Sequence, residues 1–180
     1  MGIMRVRKSG KNSRRTSEAT RTGRAFLGWA ALYVVSQANI ARTLGPAAPK
    51  LLQIQTATSA PQYNGILESM TTREMAGYRA HYPLDMVHPA IYAMALRTGA
   101  QALDARRPQS ERMRKALATA PIVSAAGDYI ENVVGWYLID HREHVTDSGT
   151  RVVSAISTAK WILALGTFGY IAVGLARSAR

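Results

Sequence analysis

Apolar residues in this chain gather in four blocks, and the charged residues gather between them. The first block, AFLGWAALYVVSQANIA from Ala25 to Ala41, is seventeen residues long, the short end of a membrane-spanning helix. Trp29 and Tyr33 suit an interface, and Ser36, Gln37 and Asn39 make its far end polar. The segment TLGPAAPK that follows should break the helix with two prolines and a glycine. The second block runs from His81 to Leu96. Pro83 suits a first helical turn there, and Pro89 predicts a kink that frees a backbone carbonyl near His88.

The third block, Ala116 to Ile139, has 24 residues, enough to span a bilayer with tilt. The fourth runs from Val152 to Ala176 and contains Lys160, expected to snorkel to the near headgroups. Gly166, Gly169 and Gly174 in that block permit close helix packing without forming a strict GxxxG. Between blocks one and two, Leu51 to Arg79 predicts one or two short amphipathic helices. Ser69 or Thr71 would cap the second, with Glu74 in its first turn. The pattern therefore predicts an all-α fold. It is an integral membrane bundle of four transmembrane helices (about 25–41, 82–96, 116–139 and 152–176) with short interfacial helices. Residues 1–24 form a basic N-terminal tail, and residues 25–180 form the membrane domain.

Charge sharpens this picture. The net charge is +12, with 23 Lys+Arg against 11 Asp+Glu, which points to an anionic partner. The tail, the second connection and the C-terminus hold sixteen Lys/Arg, while the first and third connections hold six. That asymmetry puts both termini inside, in cytoplasm or mitochondrial matrix. Arg14, Arg15, Arg21, Arg24, Arg106, Arg107, Arg114 and Lys115 are the candidate binders of lipid headgroups. A tail this polar is expected to be disordered alone, and its Ser/Thr-rich basic composition fits a mitochondrial transit segment or a cytoplasmic tail. The chain has no cysteine, which excludes disulfides, thiolate catalysis and Cys-ligated metals.

The stretch GDYIENV concentrates the candidate chemistry. Asp128, Glu131 and Asn132 are spaced i, i+3, i+4, so they share one face of the third helix. A carboxylate inside an apolar block must be paired, hydrogen-bonded, hydrated or protonated. Candidate partners are Asp85, His88 and Tyr92 on the second span, Gln37 or Asn39 on the first, and Lys160 on the fourth. Two roles are open: a proton-handling or polar-ligand pocket, or a clamp that fixes helix packing. The packing role is favoured because no cofactor motif accompanies the stripe.

Bis-histidine haem is disfavoured, because three of the four histidines lie near block ends. HREH, His141 to His144, reads as a solvated connection rather than a metal site. No phosphate loop, dinucleotide fingerprint or GxSxG elbow appears.

The combination ILESMTTREMAGYRAHYPLDMVHPAIYAMAL, a basic connection and PIVSAAGDYIENV resembles an uncharacterised group of small four-span membrane proteins. That group has a Tyr-x-x-Asp second span and an Asp-x-x-Glu-Asn third span. Asp85, Pro89, Tyr92, Asp128, Glu131 and Asn132 are the matching positions. The resemblance implies a membrane architecture and carries no activity.

The functional expectation is a non-catalytic accessory subunit of a large membrane complex. The mitochondrial inner membrane is the expected site, in the respiratory chain or ATP synthase, with both termini in the matrix. Other membrane-protein subunits and anionic phospholipids are the expected partners, and nucleic acid is not. No cofactor is expected beyond a structural lipid such as cardiolipin. The alternatives are a bacterial plasma membrane with both termini cytoplasmic, and a small membrane enzyme or lipid- or quinone-binding protein using the intramembrane carboxylates.

Overall fold

The computed structural model describes the backbone of residues 3–178 and the side chains of residues 17–178. Seven α-helices form, with no strand among the described residues. They are α1 (Ile3–Leu44), α2 (Ala48–Gln55), α3 (Ala60–Glu68), α4 (Thr72–Asp85), α5 (His88–Arg106), α6 (Glu111–Asp140) and α7 (Asp147–Ser178). The all-α expectation holds.

Local signals set most of the boundaries. Gly45 takes a left-handed φ of 50°, which ends α1 and starts the 3₁₀ turn Gly45–Ala47. Ser59 and Ser110 cap α3 and α6 with their hydroxyls. Thr71 and Glu74 form a reciprocal capping box at the start of α4. Thr71 is thus the cap, and the stretch expected to hold one or two short helices holds α2, α3 and most of α4. Residues 17–24 of the basic tail continue the helix that carries the first apolar block.

Two proline expectations change. Pro83 lies inside α4 rather than at a helix start. Pro89 does more than kink a helix: α4 stops at Asp85, and α5 begins at His88 with proline in its first turn. The expected basic connection over 97–115 shrinks to residues 107–110, because α5 runs on to Arg106 and α6 starts at Glu111. The run AQALDAR consists mostly of strong helix formers, and their propensity outweighs the charge signal.

The four long helices pack as successive antiparallel neighbours. Ser36 and Tyr33 of α1 meet His88 at the start of α5, and Phe26 meets Gly99 further along it. Tyr92 of α5 meets Ser124 of α6. The α6–α7 pair joins through Ser124, Asp128 and Glu131 to Ser157 and Lys160. Near its start, Gln109 receives a 2.6 Å hydrogen bond from Tyr170 of α7.

This order gives the bundle two unlike ends. At one end, Arg106 lies beside Gly23 of α1, close to the start of α6. Arg21, Arg24, Arg107, Arg114 and Lys115 are exposed there with it. At the other end α2, α3 and α4 form a cap. The largest apolar cluster sits in that cap, built on Ile40, Leu44, Tyr63, Leu67, Tyr78 and Ile139. Gly77 lets α4 cross the end of α1, since a Cβ there would come within 2.7 Å of the Thr43 carbonyl oxygen.

Along the α6–α7 seam polarity runs opposite to that of the cap, while α5 buries mainly small apolar residues against its neighbours. The buried residues of α7 are Thr150, Ser157, Lys160, Thr167, Ile171 and Gly174. Those of α6 include Ser124, Asp128, Glu131, Asn132 and Gly135. Large apolar side chains point outward instead, among them Val133 at 58% exposure and Ile162 at 67%.

The four expected spans fall on α1, on α4 with α5, on α6 and on α7. By length and composition, α7 alone among the described helices is long and apolar enough to cross a membrane. The others depart from that standard for visible reasons. Ser36, Gln37 and Asn39 interrupt α1, the Asp85–His88 break divides the second block, and Asp128 and Glu131 lie within α6.

Candidate functional site: a buried lysine–carboxylate cluster

Lys160 is only 6% exposed, so the expected snorkelling does not occur. Its ammonium sits between two acids of α6. It donates to Asp128 Oδ1 and lies 2.9 Å from Glu131 Oε2. Helix geometry explains the convergence. Asp128 and Glu131 project from one face of α6, three residues apart, and α7 runs antiparallel against that face.

Other side chains complete the shell. Gln55 Nε2, at the end of α2, donates to Glu131 Oε1 at 2.5 Å. The Ser157 hydroxyl donates to Glu131 Oε2. Both oxygens of Glu131 are therefore engaged. Gln55 in turn accepts from the Trp161 indole at 3.4 Å. Ser124 Oγ donates to the Lys160 carbonyl at 2.8 Å, which leaves the Tyr92 hydroxyl to donate to Ser124 at 3.0 Å. Asn132 Nδ2 donates to the backbone carbonyl of Asp85 at 2.8 Å. The cluster thus ties α2, α6 and α7 together through Glu131, and α4, α5, α6 and α7 through its neighbours. Such a network orders helices with good geometric specificity, because each buried polar group needs its partner.

The predicted site residues separate into two groups. Asp128, Glu131 and Asn132 stand together, with Tyr92 one hydroxyl away and Asp85 joined through its backbone. His88 touches them only through Tyr92. Its Nδ1 lies 2.9 Å from Ser36 Oγ, and its ring packs on Tyr33 and Tyr92 at the α1–α5 contact. The helix break before His88 also undoes the single face expected for Asp85, His88 and Tyr92. Gln37 and Asn39 are exposed and take no part. Gln55 and Ser157 belong to the shell, and the sequence reading missed both.

The candidate headgroup residues Arg21, Arg24, Arg106, Arg107, Arg114 and Lys115 are exposed at the basic end. Lys115 also pairs with Glu111 at 2.8 Å. Arg14 and Arg15 lie outside the described side chains. In the HREH segment, the rings of Tyr137, His141 and His144 stack, and the Tyr137 hydroxyl lies 2.6 Å from His144 Nδ1. No group of three or more His, Asp or Glu is placed to hold a metal ion among the described residues.

At the cap, ion pairs sit nearer water. Lys50 meets Glu74 at 3.0 Å, and the Thr71 backbone N–H with this lysine holds the Glu74 carboxyl below its usual range. Arg79 pairs with Asp140 at 2.5 Å and lowers that carboxyl likewise. No family model matches the chain, and no curated protein or solved structure matches it.

Proposed function

We propose that this chain is a non-catalytic accessory subunit of a membrane assembly, with its four long helices crossing the bilayer. One observation carries the reading: the α6–α7 seam buries charge while large apolar side chains face outward. Lys160, Asp128, Glu131 and Ser157 are buried, while Ile162, Leu165, Phe168 and Val133 face outward. In water that arrangement would expose a large apolar surface and bury charge, both costly; in lipid it is the favourable one. Only 17% of the most apolar stretch of α7 is covered by the protein, so α7 is not the sheltered core helix of a soluble fold. Outward apolar residues on α7 run from Val152 to Val173, about 32 Å of helical rise against a hydrocarbon core of about 30 Å.

Charge supports an orientation. The exposed arginines of the basic end suit the anionic cytoplasmic or matrix face, with anionic phospholipids as partners. The mitochondrial inner membrane, with cardiolipin at that end, is part of the proposal on the composition of the tail alone. The carboxylates favour a structural role, since Glu131 spends both oxygens on Gln55, Ser157 and Lys160.

Because the chain has no cysteine, single cysteines report topology without background. In sealed vesicles, Ser110→Cys should label from the basic side, and Ser148→Cys and Ser69→Cys, both exposed, from the other. Labelling of all three from one side sinks the four-span arrangement. A native gel with mass spectrometry tests the assembly role, and migration as a free small protein overturns it. Should Asp128→Asn abolish an activity in a folded, assembled chain, the enzyme reading replaces this one.

A further inference from the structure

Between the cap and the α6–α7 pair lies a cavity of about 580 Å³, within the usual range for small-molecule sites. Its surface is largely apolar, with Leu51, Ile54, Val134 and Val153 among its residues. No lysine or arginine is among the described residues that line it. Its one carboxylate, Glu131, already has both oxygens engaged. The cavity therefore has no fixed cation for a phosphate or a free carboxylate, with only the exposed His144 imidazole at its rim, and no open anion for a cation.

Its polar residues fall at two places: Tyr137, His144, Thr146 and Ser148 near the start of α7, and a row of three phenols against the cap. Tyr82 donates to the Tyr78 hydroxyl at 2.8 Å, and Tyr78 stands beside Tyr63. The row ends in an unmet donor. Tyr63 is 4% exposed; Tyr78 turns its hydroxyl towards the Tyr63 oxygen, and the Tyr63 O–H has no acceptor of its own among the described residues. Burial pushes the Tyr63 phenol up to about 12, so the proton stays on the oxygen. A buried hydroxyl left without an acceptor costs about 1–3 kcal/mol, which a bound carbonyl would recover. Ile130 and Val152 line the cavity and are also exposed on the outside of the bundle, so the cavity opens onto the apolar surface.

We infer that this cavity binds an uncharged lipid whose polar end is a carbonyl, with Tyr63 donating to that oxygen and the chain leaving past Ile130 and Val152. The inference rests on the membrane reading, because the lipid enters from the bilayer. An isoprenoid quinone and a glyceride ester both offer this chemistry.

The full chain is reconstituted in phosphatidylcholine nanodiscs, and incorporation is scored first. Binding of a decyl benzoquinone, of a monoacylglycerol and of the matching fatty-acid anion is then titrated by native mass spectrometry. The two neutral probes distinguish the sources: whichever saturates names it. Tyr63→Phe should weaken the neutral probe about tenfold while the melting temperature of the ligand-free chain holds or rises, since the unmet hydroxyl is gone. Val153→Phe, which fills the cavity, should abolish binding. Equal binding by wild type and Tyr63→Phe overturns the inference, as does saturation by neither neutral probe or a fatty-acid anion that binds as well as they do. A chain that stays outside the discs overturns the membrane reading and this one with it; an incorporated chain that binds nothing overturns this one alone.

Discussion

Asn132 on α6 donates a 2.8 Å hydrogen bond to the Asp85 carbonyl, the acceptor that residue 89 would serve in an unbroken helix. Proline at 89 has no N–H to give. A side chain from another helix thus supplies the missing bond. Asn132→Ala should cost about 1–3 kcal/mol by stranding that carbonyl. With Pro89→Ala in the same chain, the new alanine N–H can take the carbonyl, and the cost of Asn132→Ala should fall. A double-mutant cycle on melting in detergent measures the coupling. Strict additivity would mean that the two positions are not linked.

Lys160 neutralises two acids at once, so its loss should be felt more than theirs. Lys160→Met leaves Asp128 and Glu131 buried without a cation and should destabilise by about 3–5 kcal/mol. Adding Asp128→Asn and Glu131→Gln to that variant should restore much of the loss. Thermal unfolding of the single and triple variants checks this; a triple variant as unstable as the single one counts against the pairing.

Ile162 is 67% exposed near the middle of the outward stripe of α7. If lipid covers it, Ile162→Arg costs about 2.5–3.5 kcal/mol at insertion. On a water-facing helix the same change would alter stability by no more than about 0.5 kcal/mol. Carbonate extraction and glycosylation mapping of the variant separate the cases, and unimpaired insertion argues against a lipid-facing position.

Acid should loosen the cap. The Glu74 and Asp140 carboxyls are held below their ordinary values of 4.5 and 3.8. A carboxylate lowered in the folded state stabilises the fold above its unfolded value and loses that contribution as pH falls through the folded value. The protection of α4 amides, taken relative to their intrinsic exchange at each pH, should therefore fall between about pH 5 and about pH 2. Salt should blunt the part due to Arg79–Asp140, which is exposed. Glu74→Gln with Asp140→Asn should flatten the profile; an unchanged profile removes these two acids as its cause.

Much of the site was legible in the chain. Spacing alone grouped Asp128, Glu131 and Asn132; Lys160 stood among several candidate partners, but its long side chain suited snorkelling equally well, and only packing against α6 decides between the two. Gln55 and Ser157 gave no such sign. Each is a polar residue on a helix whose rotation depends on tertiary packing, and a serine within a helix can satisfy its hydroxyl locally. The four blocks emerged from hydropathy, yet Pro89 could equally bend a helix or divide it. That choice depended on Asn132, 43 residues further on, which no local rule consults.

The uneven placing of the apolar clusters has a thermal consequence. With the long helices in lipid, pulling them apart would wet little new hydrocarbon surface. The cap cluster of Ile40, Leu44, Tyr63 and Leu67 is the apolar mass that melting would bring into contact with water. Heat capacity follows that contact. The curvature of this protein's stability with temperature, and any weakening in the cold, would then be set by three short helices at one end of the bundle.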